Sequence, residues 1–170
     1  MVQELIDTLA TAAARIEEAA FLGSAVILPD FPRSIQFQKS TCGLHCVHTI
    51  LKYFGKNCPF EHLKVDLQTD ADGTAVTDIK QVLRKHSLKV RELHDARLSD
   101  VGRSIRNGSP MLLSLFDGEH YSVVFGVSSS RIYVMNPSLG WMGSWRCAIR
   151  IDRFRRKWDR WALIVSERRS

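Results

Sequence analysis

Cys42 stands at the head of "CGLHCVHTILKYFG", where a helical pattern begins. A thiol at a helix N-terminus faces unpaired backbone amides and the positive end of the helix dipole, and both favour thiolate over thiol. That placement makes Cys42 a candidate nucleophile. Gly43 follows it, so nothing bulky crowds the backbone amide of Cys42, which can donate to an oxyanion formed on an attacked carbonyl. Gln36, upstream on an extended segment, can bring a side-chain amide to the same point. Cys46, one turn deeper on the same face, takes the ordinary place of a small buried hydrophobe.

A nucleophilic cysteine needs a base, and six histidines compete for the role. His45 and His48 share a helix with Cys42 and reach it awkwardly, so they read as a partly exposed helix face. His62, His86 and His94 lie among charges and read as surface residues. His120 differs because it opens the apolar strand "HYSVVFGV", and an imidazole at a sheet edge beside a helix N-terminus suits a thiol–imidazole pair. The next strand, "RIYVMN", ends in Asn136-Pro137. If the two strands form a hairpin about Ser128 to Ser130, Asn136 returns beside His120, where its amide oxygen can orient the ring.

Metal and dithiol chemistry fit less well. Cys42, His45, Cys46 and His48 on one continuous helix send ligands to different sides, whereas structural zinc usually joins two separated pairs. The Cys-x3-Cys spacing also lacks the Cys-x2-Cys form of common dithiol enzymes. No metal and no other cofactor is expected.

These residues need elements to hold them, and the chain supplies two kinds. Apolar positions from Leu5 to Ala20 recur at helical spacing, which predicts an N-terminal amphipathic helix. "GSAVILPDFPRS" then reads as an extended connector. A second helix starts near Thr41 or Cys42 and stops at Gly55, with Leu44, Val47, Ile50, Leu51 and Phe54 on its inner face. "PFEHLKVDL", "GTAVTDIKQVLRKHS" and "LSDVGRSIRNG" read as further helices, the second with threonines available as caps. From "LKVREL" onward come strands: "PMLLSLF", "HYSVVFGV", "RIYVMN" and "RWALIVSE". Helices first and strands later give an α+β fold with an antiparallel sheet packed on a helical side. The expected organisation is residues 1–33 as helix and connector, followed by one domain over 34–170.

Composition bounds the rest. The chain has 170 residues, 45% hydrophobic and 25% charged, an ordinary globular balance. No run reaches the roughly eighteen apolar residues of a membrane span, and no basic start precedes the first apolar run. A cytoplasmic location follows as the expectation, and with it four cysteines kept as thiols. The formal charge of +6 is concentrated in "RFRRKWDRW" and "ERRS", a solvated face or a contact for an acidic or otherwise anionic partner. No nucleic-acid-binding signature accompanies it.

Gln36, Cys42-Gly43, His120 and Asn136-Pro137, in this order, make the chain resemble the bacteriocin-processing papain-like cysteine peptidases of family thirty-nine, which cut after double-glycine leaders. "YFG" at the end of the helix, "DGTAVTDI", and the Phe154-x3-Trp158 pair are similar to further family features. The resemblance runs from about Ser34 to Val165 and implies a papain-like fold. It also implies that Cys42 is the nucleophile, His120 the base and acid, Asn136 the orienting residue, and Gln36 the oxyanion donor. Gly43 and Tyr121, which follow the nucleophile and the base, would contact the substrate. Three positions depart from the family: Thr41 replaces an acidic residue, Asn136 stands where aspartate is frequent, and His45 stands where alanine is usual.

The resemblance thus implies a stand-alone thiol peptidase acting on a peptide or protein. The same thioester passed to an amine would make an acyltransferase or ligase, and a degenerate site would make a peptide-binding domain. The N-terminal helix followed by Gly23-Ser24 is itself similar to such a leader, which raises self-processing as an expectation.

Overall fold

The structure, a computed structural model, describes residues 25–116, 118–138 and 146–168. The expected N-terminal helix and the Gly23-Ser24 step lie outside the described residues. In chain order the elements are β1 (Val26–Ile27), α1 (Cys42–Tyr53), α2 (Phe60–Asp66), α3 (Val76–Lys85), β2 (Leu88–Leu93), α4 (Leu98–Arg106), β3 (Met111–Leu115), β4 (His120–Val127), β5 (Arg131–Met135), β6 (Arg146–Arg150), α5 (Ile151–Arg155) and β7 (Trp158–Glu167). A short 3-10 turn, Lys39–Thr41, leads directly into α1.

Helix α1 forms because its apolar residues share one stripe: Leu44, Val47, Ile50 and Leu51 are fully buried, with Cys46 among them. It ends in a complete Schellman motif. The Lys56 N–H donates to Leu51 O and the Gly55 N–H to Lys52 O, with Gly55 at φ 65°, a backbone state that glycine adopts without strain. The stop predicted at Gly55 therefore has a defined hydrogen-bonded form.

The strands make one antiparallel sheet in the order β2-β7-β3-β4-β5-β6, with β1 paired to β4 beyond the end of β3. Central strands β3 and β4 are buried along nearly their whole length, which is why they read as continuous apolar runs rather than alternations. Helix α1 packs against β4, and α4 packs against β3 and β4. The arrangement is the expected α+β one, with helices from the first half set on a sheet from the second. Among the described residues no helix is long and apolar enough to cross a membrane.

Three local features differ from the sequence reading. The connector does more than deliver the chain: Leu28 and Phe31 are buried, and Phe31 stacks on Phe125 with ring centroids 5.3 Å apart. The threonines near α3 do not cap it, since Ala75 holds that position without a side-chain bond. Thr74 Oγ1 instead meets Thr69 Oγ1 at 2.8 Å. The segment 146–155, in which basic residues hide a sparse apolar pattern, forms strand β6 and helix α5.

Phe154 explains why so basic a segment folds back. Its ring is buried at 1% exposure and lies 5.1 Å from that of Trp158, so the pair anchors α5 between β6 and β7. Phe154→Ala is expected to lower unfolding free energy by about 3–5 kcal/mol, read as a lower urea midpoint. An unchanged midpoint would show that α5 is not anchored there.

Candidate active site

Cys42 is the first residue of α1, and its side chain is only 8% exposed. Three backbone amides lie near enough to its sulfur to favour its charged form: its own, that of Gly43, and that of Tyr121 from strand β4. The third is the informative one, because it ties the helix start to the strand start. Contact this close requires glycine at position 43. A Cβ there would lie 2.9 Å from Thr74 Cβ, closer than real Cβ atoms approach, and 3.2 Å from Tyr121 Cδ2, a tight contact.

The thiol differs from the sequence expectation in one respect. Burial raises its pKa above the ordinary cysteine value, and the three amides offset only part of that rise. Helix position alone predicts thiolate; the desolvated sulfur of the free protein favours the neutral thiol.

His120 is the first residue of β4, and its Nε2 lies 2.7 Å from Asn136 Oδ1. The β4–β5 hairpin produces this meeting, with Val123 opposite Met135 and the turn closed by Ser128 N–H on Arg131 O. Asn136 is fully buried, and its Oδ1 also accepts the Ser138 N–H at 2.9 Å. An oxygen fixed as acceptor means that His120 Nε2 carries the proton and donates it. Nδ1 is then the basic nitrogen of the ring. Burial lowers the His120 pKa, and the bond to Asn136 raises it by less.

Gln36 is half-buried, and its backbone is fastened to the same turn as Asn136. Its N–H donates to Pro137 O at 2.8 Å, and it bridges Ser138 in parallel. Backbone and hydrogen bonds therefore connect Tyr121 through His120, Asn136 and Pro137 to Gln36, with the Tyr121 amide near the Cys42 sulfur. Cys42 is thus a buried thiol near backbone amides, and His120, in the strand position before Tyr121, is an imidazole oriented by Asn136.

Several contacts around the site were not legible beforehand, though Tyr121 itself was a candidate. Thr74, held by Thr69, closes one side of Gly43. Tyr121 closes another and meets Trp161 at 5.9 Å. Burial first, then the charges of Cys42, Cys46 and Asp159, pushes the Tyr121 phenol up to about 12. Trp161 is steadied through Nε1 on Glu92 Oε1 at 2.9 Å, and Glu92 in turn pairs with Lys80 at 2.6 Å. A register shift between β3 and β7 brings Asp159 to Ser114, whose hydroxyl donates to it. No local pattern signals these contacts, because they join residues far apart in sequence.

The two helix histidines lean on one ring. His45 lies 4.9 Å and His48 5.2 Å from the Phe60 centroid, and Ser34 Oγ sits 2.5 Å from His45 Nδ1. Burial, then His48, lowers His45 to about 4, and burial lowers His48 as well. Both are half-buried, in keeping with the partly exposed helix face expected of them, and their rings rest against α2.

Residues 30–170 match the sequence model described as the Peptidase C39 family. The chain belongs to that family. This C39 chain is 27% identical over 104 residues to the sublancin-168-processing and transport ATP-binding protein SunT of Bacillus subtilis (strain 168), a match covering 60% of the chain and 15% of SunT. It is 24% identical over 134 residues to the pediocin PA-1 transport/processing ATP-binding protein PedD of Pediococcus acidilactici, covering 77% of the chain and 18% of PedD. The chain thus spans less than a fifth of the length of these curated relatives. A crystal structure of a double glycine motif protease from an AMS/PCAT transporter, in complex with the leader peptide, superimposes with a TM-score of 0.66. Identity there is 19%, over 86% of this chain and 95% of that one. The fold is the α+β papain-like C39 fold, and the family is the double-glycine leader peptidase family read from Gln36, Cys42-Gly43, His120 and Asn136-Pro137.

The histidines also set an acid limit on stability. Each of His45, His48 and His120 has a pKa lowered by folding, so each favours the folded state above its ordinary value of about 6.5. That contribution is lost as pH falls through the lowered values, reaching about 4 for His45. The thermal midpoint is expected to fall from pH 6.5 to 4, and to fall less steeply in His45→Ala. Parallel profiles for the two proteins would show that the buried imidazole contributes nothing.

Proposed function

We propose that this C39-family chain is an active cysteine peptidase that cuts a peptide bond through a thioester, and that its substrate is a leader peptide of double-glycine type. The supporting observation is the pairing of His120 Nε2 with Asn136 Oδ1, one residue before Tyr121, whose backbone amide favours charge on the Cys42 sulfur. The leader reading draws support from family membership and from the leader-bound relative.

In this reading His120 Nδ1 accepts the Cys42 proton as the sulfur attacks the carbonyl carbon, because burial keeps both groups neutral beforehand. The C–S bond forms, and the carbonyl electrons move onto oxygen. The Cys42 N–H and the Gln36 side-chain amide donate to that oxyanion. Asn136 holds the ring and stabilises the imidazolium. When the tetrahedral species collapses, the C–N bond breaks and His120 gives its proton to the leaving amine. Water then loses a proton to His120 and attacks the thioester, releasing the acid and restoring the thiol. Gly43 and Tyr121 flank the bound peptide.

The peptidase domain in this proposal is residues 34–170, with Leu28 and Phe31 completing its core. Cytosolic residence suits the free thiols of Cys42 and Cys46. Arg153 and Arg156, exposed around α5, are the proposed contact for an acidic partner, whose affinity would fall with added salt.

The test is cleavage of a synthetic double-glycine leader, followed by mass spectrometry, with and without a competing amine. Turnover is expected to fall about a thousandfold or more in Cys42→Ala and His120→Ala. Since the base must be neutral and its pKa is lowered, half-maximal rate on the acid side should come below about pH 6.5. Cleavage that persists in Cys42→Ala would overturn the proposal. Amide product in place of acid would make the chain an acyltransferase.

A further inference from the structure

We propose that the bulge in β7 aims Trp161 as a brace for the Tyr121 ring, which makes Trp161 a positioning residue for the peptide wall beside Cys42. The inference rests on the proposed contact of Tyr121 with the bound peptide, and the brace itself can be tested apart from that reading.

The bulge is strained and firmly held. Between the pairs Leu113–Ala162 and Leu115–Trp158, β3 has one residue, Ser114, where β7 has three, Asp159 to Trp161. Arg160, the middle one, is left-handed at φ 67°, a state that is costly for a residue with a side chain. Its neighbours keep it there. Asp159 Oδ1 accepts the Trp161 N–H at 3.0 Å, and Asp159 Oδ2 accepts from the Ser114 hydroxyl. Ala96 N–H donates to Arg160 O at 2.9 Å, and Trp158 Nε1 donates to Trp161 O at 2.9 Å. The Arg160–Asp95 ion pair, at 2.7 Å, is exposed and adds little. Bulges re-aim side chains, and backbone strain held in place by its surroundings clusters where geometry is used.

Here the geometry leads to Tyr121. Ser114 is the cross-strand partner of Tyr121 in the β3–β4 ladder, so the bulge lies level with that residue. Directly paired residues share a face of the sheet. The Trp161 ring meets the Tyr121 ring at 5.9 Å, tilted by 55°. Its indole is fixed in turn, because Nε1 donates to Glu92 Oε1 at 2.9 Å and Glu92 Oε2 takes Lys80 of α3 at 2.6 Å. Trp161 stays half-buried at the margin of the core. Tyr121 Cδ2 lies 3.2 Å from where a Cβ on Gly43 would stand, so the ring braced by Trp161 is the one set against the residue after the nucleophile.

The experiment compares Trp161→Ala, Trp161→Phe, Asp159→Ala and the Asp159→Ala/Trp161→Ala double variant with the native protein. The Tyr121 ring signals in the NMR spectrum, assigned by their loss in Tyr121→Phe, report the brace and should move in Trp161→Ala. On the leader substrate KM should rise about five- to tenfold, the worth of one aromatic pair, with kcat within about twofold. Trp161→Phe, which keeps a ring without the bond to Glu92, should return KM to within about twofold of native. Asp159→Ala repeats the test with the indole present and should raise KM as well, and the double variant should be no worse than Trp161→Ala. Alkylation of Cys42 by iodoacetamide, which uses no peptide wall, should change less than about twofold. Unmoved Tyr121 signals in Trp161→Ala would overturn the brace. Moved signals with unaltered KM, or an equal loss in alkylation, would overturn its role at the peptide. KM losses that multiply in the double variant would overturn the part given to the bulge. If native protein leaves the leader uncut while the Tyr121 signals respond as expected, the brace stands, and the peptidase reading with its peptide wall is what fails.

Discussion

Gly43 lacks a side chain, and the site depends on that absence. It lets the first turn of α1 press against the Tyr121 ring of strand β4 and against Thr74, with the Tyr121 amide near enough to the Cys42 sulfur to favour its charge. Everything else is referenced to this contact. Tyr121 follows His120, so the strand that reaches the thiol also sets the imidazole. The β4–β5 hairpin then fixes Asn136, and the Pro137 carbonyl after it fixes Gln36. Four residues scattered over a hundred positions are held by one helix, one hairpin and one pairing between loops.

Burial is the second constraint, and it works against charge on both Cys42 and His120. A desolvated thiol resists losing its proton, and a desolvated imidazole resists gaining one. Both shifts favour the neutral pair at rest. The amides near the sulfur and the bond to Asn136 act in the opposite sense, and in the proposed reaction they would reduce the cost of charge transfer from thiol to imidazole. The same low dielectric strengthens each of those hydrogen bonds.

The elements that carry the site were legible because local physics decides them. "HYSVVFGV" is apolar throughout and bounded by turn residues, and it is the strand His120–Val127. Its spacing to "RIYVMN" across a short turn was enough to return Asn136 to His120. The stripe from Leu44 to Leu51 and the stop at Gly55 defined α1. What was missed depends on tertiary surroundings. Strand β6 and helix α5 hold few apolar residues among many arginines, and only the pocket around Phe154 shows why they fold back. The helix start at Cys42 predicts thiolate, but a sequence does not show how deeply a sulfur is buried, and burial raises this thiol. The contacts of His45 were not legible because its partners, Ser34 and Phe60, lie in other segments.

The central claim is that His120 serves as the base for Cys42, and the most direct measurement is the pH dependence of Cys42 alkylation by iodoacetamide, followed by peptide mass spectrometry. In the native protein the rate should rise from acid with a midpoint below about pH 6.5 and level off near neutrality. In His120→Ala it should stay low until pH passes about 9, as for an isolated buried thiol. Superimposed profiles for the two proteins, or a native Cys42 no more reactive at neutral pH than Cys58, would contradict the account.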